Sequence, residues 1–524
     1  MLHELGQSGM IFLWTVLIIY MLAMLAIGYF CGKRVDSLDD YVVAGRRLPL
    51  YMAVATMVAT QFGAGSCMGV AAQVYSTNVR DVIQDPISMS VCLLLAGWFI
   101  VGKLRQARCT TVPDILDMKY GKATGIFAGI AMLPVYIGWT GSQMIGFGTI
   151  LHLITGINAS WGIIIGGLVV IVYTLYGGMW AVTLTDVVQV LILILGLVLV
   201  IPGIFMEFGG ISEGFNEIFV KQKELVDILP EKNIGFGGHV NYVGQWIIMG
   251  LGCMVGQELI QRSMASRNVA IAKQSSIISG YIYFLLGLIP ITVGLAAKIL
   301  VSKWGVDVNA ENLENEILPR AAAHYLNPVL LTFFLCGLVA AIMSSADSAL
   351  LATGTLLVKN VILPLKPDIP LKKQLLLTRI TVFLALIISI VMALTVDSIY
   401  QLMVNSWASL LVVVVMPCIA ALYLKKSGWI SVLSCMISGT AVWLGYTIYQ
   451  GHKIPGTIVE LLNDDDFLFH LTNGSVYGFV TGIVVFFLVY FLWDIKHNPA
   501  IDVCTDKEAE KDNQPEDIPV SPYL

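Results

Sequence analysis

The sequence predicts an all-α polytopic membrane protein of about thirteen transmembrane helices, built as a five-plus-five inverted repeat with helices 2 and 7 discontinuous. Three observations predict it. Apolar residues make up 57% of the 524 and charged residues 12%, where soluble domains carry about 25% charged residues. The apolar residues fall in runs that suit a hydrocarbon layer about 30 Å thick. Two of those runs, five spans apart, are interrupted at mid-depth by glycines beside glutamines.

In order, the spans cover 9–31, 49–76, 82–102, 123–154, 159–177, 180–206, 240–264, 272–301, 327–357, 378–396, 400–424, 428–449 and 475–493. The first has no basic segment ahead of it, and its apolar run from Met10 to Cys31 is too long for a signal-peptide core, so it stays as a span. The loops 207–239, 302–326 and 450–474 hold most of the polarity on the outer side and have room for short helices over an entrance. The tail from about His497 to Leu524 is acidic and poor in large apolar residues, which reads as a disordered end.

An odd number of spans puts the termini on opposite sides. With the N-terminus outside and the C-terminus in the cytoplasm, 22 of the 30 basic residues fall on inward loops and the tail, Arg262 among them. The expected home is the plasma or inner cell membrane.

The interruption in span two is Ala59-Thr60-Gln61-Phe62-Gly63-Ala64-Gly65-Ser66-Cys67-Met68-Gly69, and that in span seven is Gly250-Leu251-Gly252-Cys253-Met254-Val255-Gly256-Gln257-Glu258. Broken helices at matching places in two halves mark a transporter binding site, because unwound carbonyls and half-helix ends meet there. Glycines alone would equally serve close helix packing; Gln61, Gln257 and Glu258 beside them favour the site.

Span nine carries Ala341-Ile342-Met343-Ser344-Ser345-Ala346-Asp347-Ser348. Positions 341, 344, 345 and 348 share one helical face, and hydrocarbon offers it no water, so the face needs protein, a cavity or an ion. Sodium fits that face. Back-bonding of the serines to carbonyls one turn earlier is the competing explanation.

Other chemistries lack residues. Nine cysteines are scattered without CxxC or His/Cys ligand spacing, and read as packing residues. The chain has no Walker lysine pattern, phosphate loop or HExxH, so enzymology and primary pumping have nothing to carry them. Nothing points to nucleic acid; the partners expected are the bilayer, sodium and a small solute, with a monomer sufficing. No organic cofactor is expected.

Four motifs in order carry a family resemblance: Asp40-Tyr41-Val42-Val43-Ala44-Gly45-Arg46; Tyr176-Gly177-Gly178-Met179-Trp180 leading to Thr185-Asp186-Val187-Val188-Gln189; Gly256-Gln257-Glu258-Leu259-Ile260-Gln261-Arg262; and Ala340 to Ser348. With them the chain resembles the sodium/solute symporters over spans one to about twelve, nearest in appearance to the choline and proline branches. The resemblance implies a LeuT-type fold, with a first helix and loop (1–47), repeats over 48–208 and 240–426 separated by an outer loop (209–239), two peripheral helices (427–496) and the tail (497–524). It implies a sodium site from the carbonyls of Ala59, Phe62 and Ala341 and the hydroxyls of Ser344 and Ser345, an uncharged set suited to a monovalent cation that must also leave. Asp186, Asp347 and Ser348 match a second sodium site that some members hold. A shared proton is the alternative for that carboxylate pair.

The resemblance also places Gln61, Ser66, Gln84, Asp85, Trp139, Gln257 and Glu258 around the substrate. Asp85 facing the cavity would favour an amine; as an interfacial N-cap before Pro86 it would have no such role. Trp139 matches one ring of a choline cage, but the other cage positions read Gln61, Met89 and Gly256, which favours a smaller amine or an amino acid over choline. The function implied is sodium-coupled import by alternating access. The alternatives are a sugar or carboxylate symporter, or a transporter-like sensor.

Overall fold

The computed structural model describes residues 6–32, 42–231, 233–304 and 313–503. Asp40 and Tyr41 of the first motif, and the tail beyond 503, lie outside them. The described residues are helical with connecting turns, and one isolated bridge joins Leu48 to Ser266.

Ten helices among the described residues are long and apolar enough to cross a membrane, and one further bent pair passes as a broken span. The chain opens with α1 (Gly6–Gly32) and the bent pair α2 (Leu50–Gln61) and α3 (Gly65–Ser76). It continues with α4 (Val79–Gln106), the short α5 (Val112–Tyr120), α6 (Lys122–Thr155) and α7 (Ala159–Glu207). The seventh expected span is α8 (Gly235–Gly252) with α9 (Gln257–Ala265). Then come α10 (Val269–Leu300), the short α11 (Leu313–Tyr325), α12 (Pro328–Thr355) and α13 (Leu371–Ala393). The last three are α14 (Ile399–Tyr423), α15 (Trp429–Gly451) and α16 (Asp465–His497).

Thirteen expected spans thus meet a stricter count. The difference lies in α1, whose apolar core is the shorter Gly9–Met24, and in α7, which contains the apolar stretches Ala159–Val172 and Met179–Glu207. The flanks of α7 lie at the same end of the molecule. His152, just before it, is 4.0 Å from Glu316 of α11, while Gly203 near its far end abuts Tyr325 of the same helix.

Helix ends follow local chemistry. Asn327 caps α12 by accepting from the N–H of Leu330 at 3.0 Å, with Pro328 at the first position. Asn268 caps α10 in the same way, and Gly156 ends α6 at φ 72°, where a side chain would be strained. At the end opposite α11, Thr111 and Asp114 form a capping box for α5. Asp114 reaches further, to Lys359 at 2.9 Å and Asn360 at 2.8 Å beyond the end of α12.

Burial decides which helices are central. In the most apolar window of Pro328–Leu365 and of α14, 83% is buried, against 33% for α13 and α15 and 28% for α16. A helix covered on nearly every side is a core helix, so α12 stands at the centre. The less covered helices turn their apolar sides to lipid.

Candidate ion and substrate site

Both interruptions are real breaks. Helix α2 stops at Gln61, Phe62 takes φ −93° and ψ 70°, and α3 leaves at 60° to α2. The freed N–H of Ala64 is taken by Gln143 Oε1 of α6 at 2.8 Å. A Cβ on Gly63 would run into Ser345 and Gln143 Oε1, so glycine is what lets α12 approach the break. In span seven, Gly256 is extended at φ −62° and ψ 133° between α8 and α9.

Helix α12 lays its polar face against the first break. Ser345 Oγ donates to the carbonyl of Thr60 at 2.7 Å, flanked by the buried Ala59 and Phe62. Ser344 Oγ donates to Asp186 Oδ1 at 2.5 Å, and Thr56 donates to the other oxygen of the same carboxylate. Of the three serines only Ser348 bonds back one turn, to the carbonyl of Ser344 at 2.5 Å; it also lies 3.0 Å from Asp347 Oδ1 and 3.3 Å from Thr60 Oγ1. Ser344 and Ser345 therefore cross to two different partner helices, against the back-bonding alternative. Ala341 is buried on the same face.

The sequence reading missed one charge here. Arg262, counted with the inward loops, is in fact fully buried on α9. Its Nη2 donates to Ser348 Oγ and lies 3.9 Å from Asp186 Oδ2, and its Nη1 donates to the carbonyl of Glu258 at 3.1 Å. A cation thus stands among Asp186, Asp347 and Ser348. The motif Gln261-Arg262 was visible; its direction was not, because a helix end can face either a loop or the core.

Glu258 sits between two donors, Gln61 Nε2 at 3.1 Å and Tyr136 OH at 2.8 Å. Gln257 gives its main-chain N–H to Tyr136 OH at 2.5 Å, while its side chain donates to the carbonyl of Thr110 at 3.1 Å. Gln257 therefore reaches toward the α5 end, and Glu258 toward the first break.

Asp85 interrupts α4 at φ −142° and ψ 124° and is fully buried, which does not fit an interfacial cap. Its Oδ1 accepts from Tyr283 OH of α10 at 2.6 Å; that phenol is also 2.7 Å from Ser66 Oγ and 3.4 Å from the carbonyl of Gln61. Asp85 Oδ2 and the neighbouring Gln84 Oε1 are buried without a hydrogen-bond partner. Trp139 lies against Trp407 and Tyr136, with ring centroids 5.6 Å and 6.5 Å away. Tyr136 and Trp139 share a helical face at i, i+3, a readable signal; Tyr283 and Trp407 join from distant spans and left none.

Among apolar helices, two broken ones turned toward a central polar helix define a LeuT-like membrane transporter fold. The chain belongs to the sodium:solute symporter family, whose model matches residues 41–439. It is 26% identical to the high-affinity choline transporter 1 of Drosophila melanogaster, over 82% of this chain and 71% of that one. It is 26% identical to an osmoregulated proline transporter of Bacillus subtilis, over 85% and 92%. Among solved structures, a Na+-coupled sialic acid symporter in a substrate-bound outward-open state superposes with a TM-score of 0.73 at 18% identity, over 94% of this chain and 99% of that one. A nucleobase-cation-symport-1 family transporter in a closed conformation gives 0.53 at 14%, over 90% and 97%.

Proposed function

We propose that the protein is a sodium-coupled symporter that imports a small organic amine, amino acid or other zwitterion or cation by alternating access. The observation that carries this reading is the bond from Ser345 to the Thr60 carbonyl, which joins the central helix to the broken one. A hydroxyl that donates its proton keeps two acceptor lone pairs. Ser345, held by Thr60, and Ser344, held by Asp186, would turn those lone pairs to a cation together with the carbonyls of Ala59, Phe62 and Ala341. Sodium would then fasten α2 to α12 and favour one of the two access states.

The solute half rests on Asp85. A buried carboxylate with one unpartnered oxygen favours a positive group, and Ser66, Gln84 and Gln61 supply polar neighbours. Trp139, Tyr136 and Trp407 offer ring faces to an ammonium or its methyl groups. The named activities of the choline and proline relatives agree with an amine or amino acid.

The finer architecture is part of the same reading: thirteen spans, N-out and C-in, with repeats over 48–208 and 240–426. Support comes from His152, just ahead of α7, and Gly203, near its C-terminal end, both meeting α11, as two antiparallel spans would require, and from a break near the start of each repeat. A monomeric carrier in the plasma or inner membrane, with no bond chemistry, completes the reading.

The test is uptake into proteoliposomes of labelled amines, amino acids, sugars and carboxylates, with and without an inward sodium gradient. Sodium-dependent accumulation of an amine or amino acid is expected. Accumulation driven by protons with no response to sodium would overturn the coupling.

A further inference from the structure

We propose that a groove along the lipid side of α2 binds one acyl chain of an anionic phospholipid, whose phosphate sits at the basic start of that helix. The lipid comes from the leaflet at that end, which is the cytoplasmic one in the topology proposed above.

The groove has a volume of about 500 Å³ and lies between α2, Val190 and Ile194 of α7, and Ile282 of α10. Its α2 wall includes Tyr51, Val54, Ala55 and Val58, which fall at i, i+3, i+4 and i+7 on one helical face. Val58 and Val190 are buried, Val54 and Ala55 half-buried, and Tyr51, nearest the helix start, is exposed. The stripe is of the kind that packs on protein, and here the bilayer is what lies over it.

The opposite face of α2 carries the polar contacts. Thr56 donates to Asp186, and Thr60 Oγ1 lies 3.3 Å from Ser348 Oγ. An apolar chain in the groove therefore backs α2 against α7 and α12. It does so beside the last turn before the break, where the N–H of Phe62 meets the Val58 carbonyl at 3.0 Å.

Charge selects the head group. Arg47 is exposed three residues before Leu50, and Arg267, also exposed, gives its main-chain N–H to the Leu48 carbonyl at 2.9 Å. Behind Pro49, α2 begins with no side-chain cap and no acidic residue in its first turn. Two arginines and an open helix start at one mouth favour a phosphate that carries net negative charge. A sterol would match the groove alone, and a free anion the charge alone.

The test titrates the purified full chain in detergent with a phosphatidylglycerol whose one acyl chain ends in a diazirine, followed by photolysis and peptide mass spectrometry. Saturable label is expected on the peptides that hold Val58 and Val190. Ala55→Trp, which fills the groove, should remove that label and leave labelling elsewhere unchanged. Arg47→Gln should raise the half-saturating concentration about fivefold, and the matching phosphatidylcholine should bind the wild type more weakly by at least as much. No saturable label on α2 and α7, equal labelling by the two lipids, or displacement by cholesterol as effective as by unlabelled phosphatidylglycerol would overturn the proposal. The comparison of lipids on the wild type needs no variant to fold. Labelling needs neither sodium nor solute, so a failure of the transport reading would leave these outcomes unchanged.

Discussion

Tyr283 and Asp85, from the eighth and third apolar runs, meet through a 2.6 Å hydrogen bond, and the same phenol stands 3.4 Å from the Gln61 carbonyl at the helix break. A phenol has one proton. That proton holds Asp85 Oδ1, so an ammonium bound as proposed would meet Oδ2, which has no partner. One phenol thereby links the proposed solute carboxylate to the backbone that flanks the proposed sodium ligands.

Removing that hydroxyl tests the link. A hydrogen bond to a charged group contributes roughly 1.5–3 kcal/mol, so Tyr283→Phe should raise the uptake KM by about tenfold or more. Asp85→Asn should raise it for cationic solutes more than for neutral ones. An unchanged KM in both variants would remove Asp85 from the substrate site.

Ser345→Ala takes away the hydroxyl that joins α12 to Thr60. The sodium concentration for half-maximal uptake should rise by about tenfold or more, at normal expression, given roughly 1–3 kcal/mol for an interaction of this kind. Equal sodium activation in variant and wild type would sink the sodium site.

Gly63→Ala places a methyl group against Ser345 and Gln143. Overpacking of this kind costs about 1–3 kcal/mol, and here it falls on the joint itself. Transport should drop by an order of magnitude or more while the protein still reaches the membrane. Wild-type uptake would show that α12 and the break need not approach so closely.

At the α5 end, burial alone would push the Asp114 carboxyl up, but the Lys359 ammonium at 2.9 Å and the bonds to Thr110 and Thr111 outweigh it and hold it at about 2. The folded value lies below the unfolded one, near 3.8. The stabilisation is therefore fully present above about pH 4 and is lost as pH falls toward 2. Asp114→Asn should lower the melting temperature in detergent at pH 7, and the gap between variant and wild type should narrow through that window. A constant gap would exclude the ionised Asp114–Lys359 pair as its source.

Much of this molecule was legible in one dimension. Apolar run length is a local property that the bilayer reads directly. Breaks at Phe62 and Gly256 were legible because glycines cluster there beside Gln61, Gln257 and Glu258, at matching places five spans apart. Ser345 was legible because helical periodicity puts it on one face with Ser344 and Ser348.

Periodicity says which residues share a face, but not which helix that face meets. Ser344 and Ser345 are neighbours in sequence, yet one bonds to α7 and the other to the end of α2. Arg262 could be counted with a loop because charge near a helix end commonly faces water; only packing turned it inward to Asp186. Tyr283 and Trp407 come from spans that no local pattern ties to Asp85 or Trp139. Run length, glycine placement and helical periodicity are enough to reach the membrane class, the breaks and the polar face of the central helix. How the buried charges pair is settled only by packing, because pairing depends on distances between helices far apart in the chain, and in a low-dielectric interior those distances set which charge is compensated.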